Sequence, residues 1–118
     1  VKEFDGTIGS LNQDRSKAIQ QAMRLFLSEH NWARGSGECA GAIVLIYDHD
    51  VHEVGEELTD IQHHSRSVIN SVLHIHIDEK NCLEIIAVRG GVDKLKTLIG
   101  SLTACRGVKA LKHTIIGI

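Results

Sequence analysis

The sequence is poor in aromatic residues. Phe, Trp and Tyr make up 3% of its 118 residues, so a core must come from aliphatic side chains. It has no apolar run near the roughly 20 residues that cross a bilayer. It also lacks the basic segment leading into an apolar one that marks a secretory signal. Cys39, Cys82 and Cys105 are an odd number at irregular spacing, which is no disulfide framework and suits a reducing cytoplasm. Neither sign of charge dominates, with 13 Lys and Arg against 15 Asp and Glu and a formal net of -2. That argues against a polyanion binder acting through the whole molecule, while a few placed Lys and Arg can still bind DNA. Position 1 is Val rather than Met, so the chain is read as truncated or as the ordered part of something longer. The excess is in histidine, with eight residues.

The length allows one domain or two very small ones, and 42% hydrophobic residues suffice for a modest core. In the first part, Ile19, Ala22, Met23 and Phe26 fall on one helical stripe, with Asp14 or Ser16 as its N-cap. Val1, Phe4 and Ile8 have similar spacing, which predicts two helices joined around Leu11–Asp14. Two helices in residues 1–34 cannot bury their stripes alone and need a partner. Glycine-rich residues 35–41 read as a linker.

From residue 42 to 118 the pattern becomes a second domain. Ala42–Tyr47 is an apolar run expected as a buried strand, followed by a polar helical segment over Val51–Ser65. Val68–Ile77 and Cys82–Val88 read as two strands. Val92–Ala104 has helical apolar spacing with Gly107 past its end, and Val108–Ile118 closes as a strand. The order β-α-β-β-α-β is that of the split βαβ, or ferredoxin-like, fold, and the class is α+β. Both helices cover one sheet face, so an assembly is expected to cover the other.

Alternation within Val68–Ile77 places Leu73, Ile75 and Ile77 on one face and Val72, His74 and His76 on the other. The aliphatic set is expected to meet the helices, which points both imidazoles off the core. Directly opposed residues on paired strands share a face. A four-residue loop would oppose His76 to Leu83, mixing polar with apolar. A five-residue loop, Ile77–Asn81, opposes His76 to Cys82, His74 to Glu84 and Ile75 to Leu83, and pattern sets register where a face is buried. His74, His76 and Cys82 then converge with Glu84 beside them. A His-x-His pair alone is most simply a polar strand face; Cys82 at matching parity favours a metal site. Imidazole and thiolate together suit borderline ions such as Ni, Cu and Zn, and spacing alone leaves the metal open. Binding needs neutral imidazoles and a thiolate, so it should weaken as pH falls.

Leu73-His74-Ile75-His76, five intervening residues and Cys82-Leu83-Glu84 resemble the metal-binding signature of the nickel-responsive repressors (NikR). Gln62-His63, Ile46-Tyr47-Asp48-His49 and Arg106-Gly107-Val108 resemble other parts of that family's regulatory domain, and the likeness spans about residues 12–116. It implies an ACT-type domain and a Ni(II) ion held by His74, His76 and Cys82 of one subunit and His63 of a neighbour. In that family the site is square planar and lies at the interface of a homotetramer, a dimer of dimers. Tyr47, Gln62 and Glu84 match positions around the ligands, where Glu84 could orient an imidazole.

Asp14-Arg15-Ser16-Lys17-Ala18-Ile19 resembles the start of the second helix of a ribbon–helix–helix module, the family's DNA-binding part. A helix N-terminus suits a phosphate, so Arg15, Ser16 and Lys17 are expected to anchor operator DNA. The family's base-reading strand precedes residue 1, which leaves a two-helix remnant whose strand is expected to be disordered or removed. Where some members carry two carboxylates for a further cation, this chain has Lys17 and Gln21.

His49 and His64 neighbour ligand-like positions and could join a secondary metal site. His30, His52 and His113 read as surface residues, Cys39 as free and exposed in the linker, and Cys105 as packing. No nucleophile–base motif points to an enzyme. The competing readings are an ACT-type small-molecule sensor and an oligomer held by a structural zinc ion.

Overall fold

The computed structural model describes residues 1–11 and 14–118. Two helices, α1 (Lys2–Ser10) and α2 (Arg15–Arg34), precede an α/β unit. That unit runs β1 (Glu38–Asp48), α3 (Val54–His64), β2 (Ile69–His76), β3 (Asn81–Gly91), α4 (Val92–Ala104) and β4 (Val108–Gly117). The strands form one antiparallel sheet in the order β2-β3-β1-β4, as the split βαβ arrangement requires.

Local chemistry accounts for the helix ends. The Asp14 side chain accepts a hydrogen bond from the Ser16 N–H and caps α2. Of the junction expected around Leu11–Asp14, Asn12 and Gln13 lie outside the described residues. Gly35, at φ 72°, ends α2 and donates back to the Asn31 and Trp32 carbonyls, a left-handed cap that suits glycine. β1 begins at Glu38, so the stretch expected as linker contributes only Gly35, Ser36 and Gly37 outside regular structure.

Gly41 lies in β1 opposite Ile115. A Cβ there would sit 2.0 Å from the Thr114 carbonyl oxygen, so only glycine lets β4 close against β1. α4 buries Val92, Leu95, Leu98 and Leu102 along one stripe. They pack with Val54 and Leu58 of α3 on Ile43, Leu45, Tyr47, Cys82, Ile86 and Val88 of the sheet. The core is aliphatic, as the shortage of aromatics demands.

The faces of β2 are the reverse of the expectation. His76 opposes Cys82, and Cys82 opposes Tyr47; the last two are buried core residues. The histidine face is therefore the helix-covered face. Leu73, Ile75 and Ile77 lie on the open face with Val44 and are exposed. The reason is position in the sheet. β2 is an edge strand, so the helices bury its neighbours while His74 and His76 stay exposed at the margin. Apolar character did not distinguish the faces, because the open face is apolar too: Val44, Ile46, Leu73, Ile75, Leu83 and Ile85 form one contiguous patch through paired positions.

Cys39 also departs from expectation. It is a buried β1 residue whose thiol donates to the Gly90 carbonyl at 3.5 Å, and burial, followed by the charge of Glu38, pushes it up.

The two faces predict opposite mutant behaviour. Leu98→Ala empties a fully buried site and should cost about 2–5 kcal/mol in urea unfolding. Leu73→Ser should leave the fold of one chain intact and weaken self-association in sedimentation. Equal losses of unfolding free energy in the two variants would contradict this division of the sheet.

Candidate metal centre

The centre is built on the β2–β3 hairpin, and the hairpin is built on Asp78. One carboxylate oxygen accepts from the backbone N–H groups of Lys80 (2.9 Å) and Asn81 (2.8 Å). The other accepts from the Asn81 side-chain amide at 3.1 Å. The Asn81 carbonyl in turn accepts from the N–H of Ile77 at 3.0 Å. These donors, the Asn81 N–H first, hold the Asp78 carboxyl at about 2. The pairing that results leaves five residues, Ile77–Asn81, between His76 and Cys82. His76 opposes Cys82, His74 opposes Glu84 and Ile75 opposes Leu83, which is the register derived from pattern.

Register brings the donors together. His76 Nδ1 is 3.4 Å from Cys82 Sγ, and the two imidazole centroids are 5.1 Å apart. One ligand atom from each of His74, His76 and Cys82 lies within 4.8 Å of the others. Burial grades across the group: Cys82 is 1% exposed on its inner strand, whereas both histidines face outward from the edge. One side of the group is protein and the other is open.

Residues from three elements back the group. Tyr47 of β1 sets its ring edge against His74 at 5.9 Å. Burial, then the Cys82 charge and a hydrogen bond to it, push the Tyr47 phenol up to about 12, so it stays neutral and able to donate. Glu84 of β3, 7% exposed, places one oxygen 3.6 Å from His74 Nδ1. Its other oxygen accepts from Gln62 Nε2 of α3 at 2.6 Å. The buried carboxylate is thus tied to a helix on one side and faces an imidazole on the other.

The remaining candidates lie elsewhere. His63 is exposed in the last turn of α3 and outside the three-residue group; its Nε2 faces Arg66 Nη1 at 3.1 Å. His49 contacts the Glu79 carbonyl, and His64 Nδ1 donates to the Asp60 carbonyl at 2.8 Å. Neither joins a metal-ligating group of three among the described residues. Arg15, Ser16 and Lys17 stand together at the start of α2, where Arg15 donates to Asp5 at 2.7 Å. Cys105 is packed, as expected: its thiol donates to Glu57 at 3.3 Å and is pushed up to about 11 by burial and then by that bond. The loop Ile77–Asn81 is expected from register alone, and neither Asp78 nor Arg66 is among the expected site residues. An Asp two and three residues before backbone donors was the available sign of the turn; nothing in the sequence alone singled out Arg66.

The donor set fits a metal ion. Bonds of about 2.0–2.1 Å to nitrogen and about 2.3 Å to sulfur let donors on one ion stand up to roughly 4.4 Å apart. Three atoms within 4.8 Å need only small side-chain adjustment to share one. Two imidazoles and a thiolate suit a borderline divalent ion rather than a hard one such as Mg²⁺. Three donors also leave room for a fourth on the open side.

Among solved structures, an uncharacterised protein of Thermotoga maritima superposes with a TM-score of 0.57 at 11% identity, over 69% of this chain and 98% of its own. The ACT domain from a GTP pyrophosphokinase of Chlorobium tepidum gives 0.56 at 15% identity, over 67% and 99%. At such identity the likeness establishes the fold alone, and the fold is ACT-type. Sequence relatives are much closer. A protein of Dictyoglomus thermophilum described as a nickel-responsive regulator is 48% identical over all of this chain and 86% of its own length. One of Methanocaldococcus jannaschii with the same description is 39% identical over 98% and 84%. The family model of the NikR C-terminal nickel-binding domain matches residues 40–116. The chain belongs to the NikR family. NikR proteins are nickel-responsive regulators, not enzymes, and the NikR match covers every residue of the hairpin group together with Tyr47, Gln62, His63 and Glu84.

Asp78 gives a test of the hairpin. A carboxyl depressed from 3.8 to about 2 contributes stability that is complete above its unfolded value and lost as pH falls through its folded one. Asp78→Ala should therefore speed hydrogen exchange at Ile77 roughly tenfold near neutrality. Wild type and variant should converge as pH approaches 2. A gap that persists undiminished in acid would mean that the carboxylate is not what holds the turn.

Proposed function

We propose that this chain is a nickel-dependent transcriptional repressor whose metal site is completed by a second subunit. The observation that carries the reading is the hairpin group itself: His74, His76 and Cys82 offer donors within 4.8 Å of one another, backed by protein on one side and open on the other. His63 is the family-matched fourth donor, and it is exposed away from the group in its own chain. A homotetramer would let His63 of one subunit meet the hairpin of another.

Bound Ni(II) would supply a cross-link between subunits through these four side chains. The chain's own residues prepare for it. Tyr47 confines the His74 ring from one side, and Glu84 holds a carboxylate beside its Nδ1. Gln62 fixes Glu84, so α3 and the hairpin share one hydrogen-bonded support. Carboxylates placed beside ligand imidazoles set ring orientation and basicity. The apolar open face of the sheet, with Leu73, Ile75 and Val44 exposed, is a surface for a second copy.

The amino-terminal helices supply the operator-binding part. Phe4 of α1 and Ile19, Ala22, Met23, Phe26 and Leu27 of α2 line one apolar groove, with Met23, Phe26 and Leu27 largely exposed. Closing that groove against a second chain makes a ribbon–helix–helix dimer. The N-terminus of α2, with Arg15, Ser16 and Lys17, anchors phosphate. Among the described residues no helix is long and apolar enough to cross a membrane. A regulator of operator DNA works in the cytoplasm.

Two experiments test the reading. The first is titration of Ni(II) or Zn(II) into the metal-free chain, followed by absorption. A thiolate-to-nickel charge-transfer band is expected, absent in Cys82→Ala, with His63→Ala binding nickel more than about 100-fold more weakly. Gln62→Ala should lose about 10–100-fold, the range for a residue that supports a ligand. Survival of the band in Cys82→Ala would end this assignment, and a preference for Zn(II) would favour a structural zinc site. The second experiment measures binding to a mixed-sequence duplex across a salt series. Lys17→Ala should lower the slope of log affinity against log salt by about 1; an unchanged slope would remove this end of α2 from the DNA interface.

A further inference from the structure

The end of α3 holds an arrangement that the proposed site does not use. The helix closes at Ser65, whose N–H donates to the Ile61 and Gln62 carbonyls, and the Arg66 N–H turns back to the His63 carbonyl at 3.4 Å. This turn folds the Arg66 side chain over His63, where Nη1 lies 3.1 Å from the imidazole Nε2. Among the described residues Arg66 makes no ion pair with a carboxylate. His64 is turned aside by its bond to the Asp60 carbonyl and stands edge-on to His63 at 6.3 Å.

A guanidinium has only N–H donors and stays protonated throughout the physiological range. The imidazole nitrogen facing it must therefore be the acceptor. The ring proton is then on Nδ1, and Nε2 carries its lone pair toward Arg66. That lone pair is also what a neutral imidazole offers to a metal. An ion and the guanidinium cannot occupy it together.

We infer that Arg66 guards the shared ligand. In the metal-free subunit it holds His63 in the tautomer with a bare Nε2 and occupies that nitrogen. Nickel then takes His63 only by displacing a cation. The inference rests on His63 being the ligand given to a neighbouring subunit. The competition has two parts, a hydrogen bond that must break and a positive charge near the incoming ion. Only the second is screened by salt. Arg66 thus raises the nickel concentration at which subunits are bridged, without touching the metal.

The test uses the full chain. In the metal-free protein at about pH 8, above the ordinary titration range of histidine, nitrogen–proton correlation spectra should show His63 protonated on Nδ1. In Arg66→Ala, His63 should move toward the Nε2-protonated form. Competition titration should give Arg66→Ala about three- to tenfold tighter Ni(II) binding than wild type, the scale of one exposed charge-assisted hydrogen bond. Arg66→Lys keeps the charge without the fork, so it should fall between the two and approach Arg66→Ala as salt is raised. Protonation of His63 at Nε2 in the wild type, or unchanged affinity in Arg66→Ala, would falsify the guard. Wild-type affinity in His63→Ala would instead remove the shared-ligand reading and leave the tautomer measurement standing.

Discussion

The convergence of His74, His76 and Cys82 depends on one turn. Three donor atoms converge because five residues, rather than four, lie between the paired positions His76 and Cys82. Asp78 enforces that number by accepting from the N–H groups of Lys80 and Asn81 and from the Asn81 side chain. A slip of one residue would move His74 and His76 to the opposite face from Cys82. Lys109 of β4 donates to Asn81 at 2.6 Å, so the far edge of the sheet also steadies the loop. A surface carboxylate that touches none of the three donors thus holds the turn that brings them together.

The same hairpin shows what could be read in the sequence and what could not. Register was legible because it is a matching problem: polar must oppose polar, and only the five-residue loop allows it. The choice of face was not legible. Alternation separates two sets of side chains but does not say which set lies under a helix, and here both sets have reasons to be covered. The helix-side set meets α3 and α4 in the centre of the sheet and runs out into two exposed histidines at its edge. The other set, Leu73 and Ile75 with Val44, is aliphatic without being buried in one chain. Reading apolar as inside assumes that a chain has a single interior. Cys39 failed for a related reason: glycines on both sides suggested a linker, but Gly41 is a strand residue, needed for the close approach of β4.

α3 divides its last turn between two destinations. Gln62 points inward to Glu84 and belongs to the support of its own hairpin. His63, the next residue, points outward, because adjacent helical positions are about 100° apart around the axis. One helix end therefore braces the hairpin group through Gln62 and leaves the His63 imidazole exposed beside it. If α3 shifts, the support behind His74 and the aim of His63 change together.

The amino-terminal helices are joined to this system by specific contacts. The Ser28 hydroxyl accepts from the Gly117 N–H at 2.7 Å, Trp32 packs against His113 at 5.2 Å, and Lys96 of α4 lies over the Trp32 ring. These hold the C-terminal half of α2 on β4, while the N-terminal half extends past the sheet with its apolar stripe exposed. The molecule is 55 Å long but only 20 Å thick, which leaves much apolar surface near solvent for so short a chain. Two surfaces are left incomplete, the α1–α2 groove and the open sheet face, and they lie on different parts of the chain. A second copy on one surface does not occupy the other. α2, anchored on β4, joins the sheet to Arg15, Ser16 and Lys17 at its N-terminus.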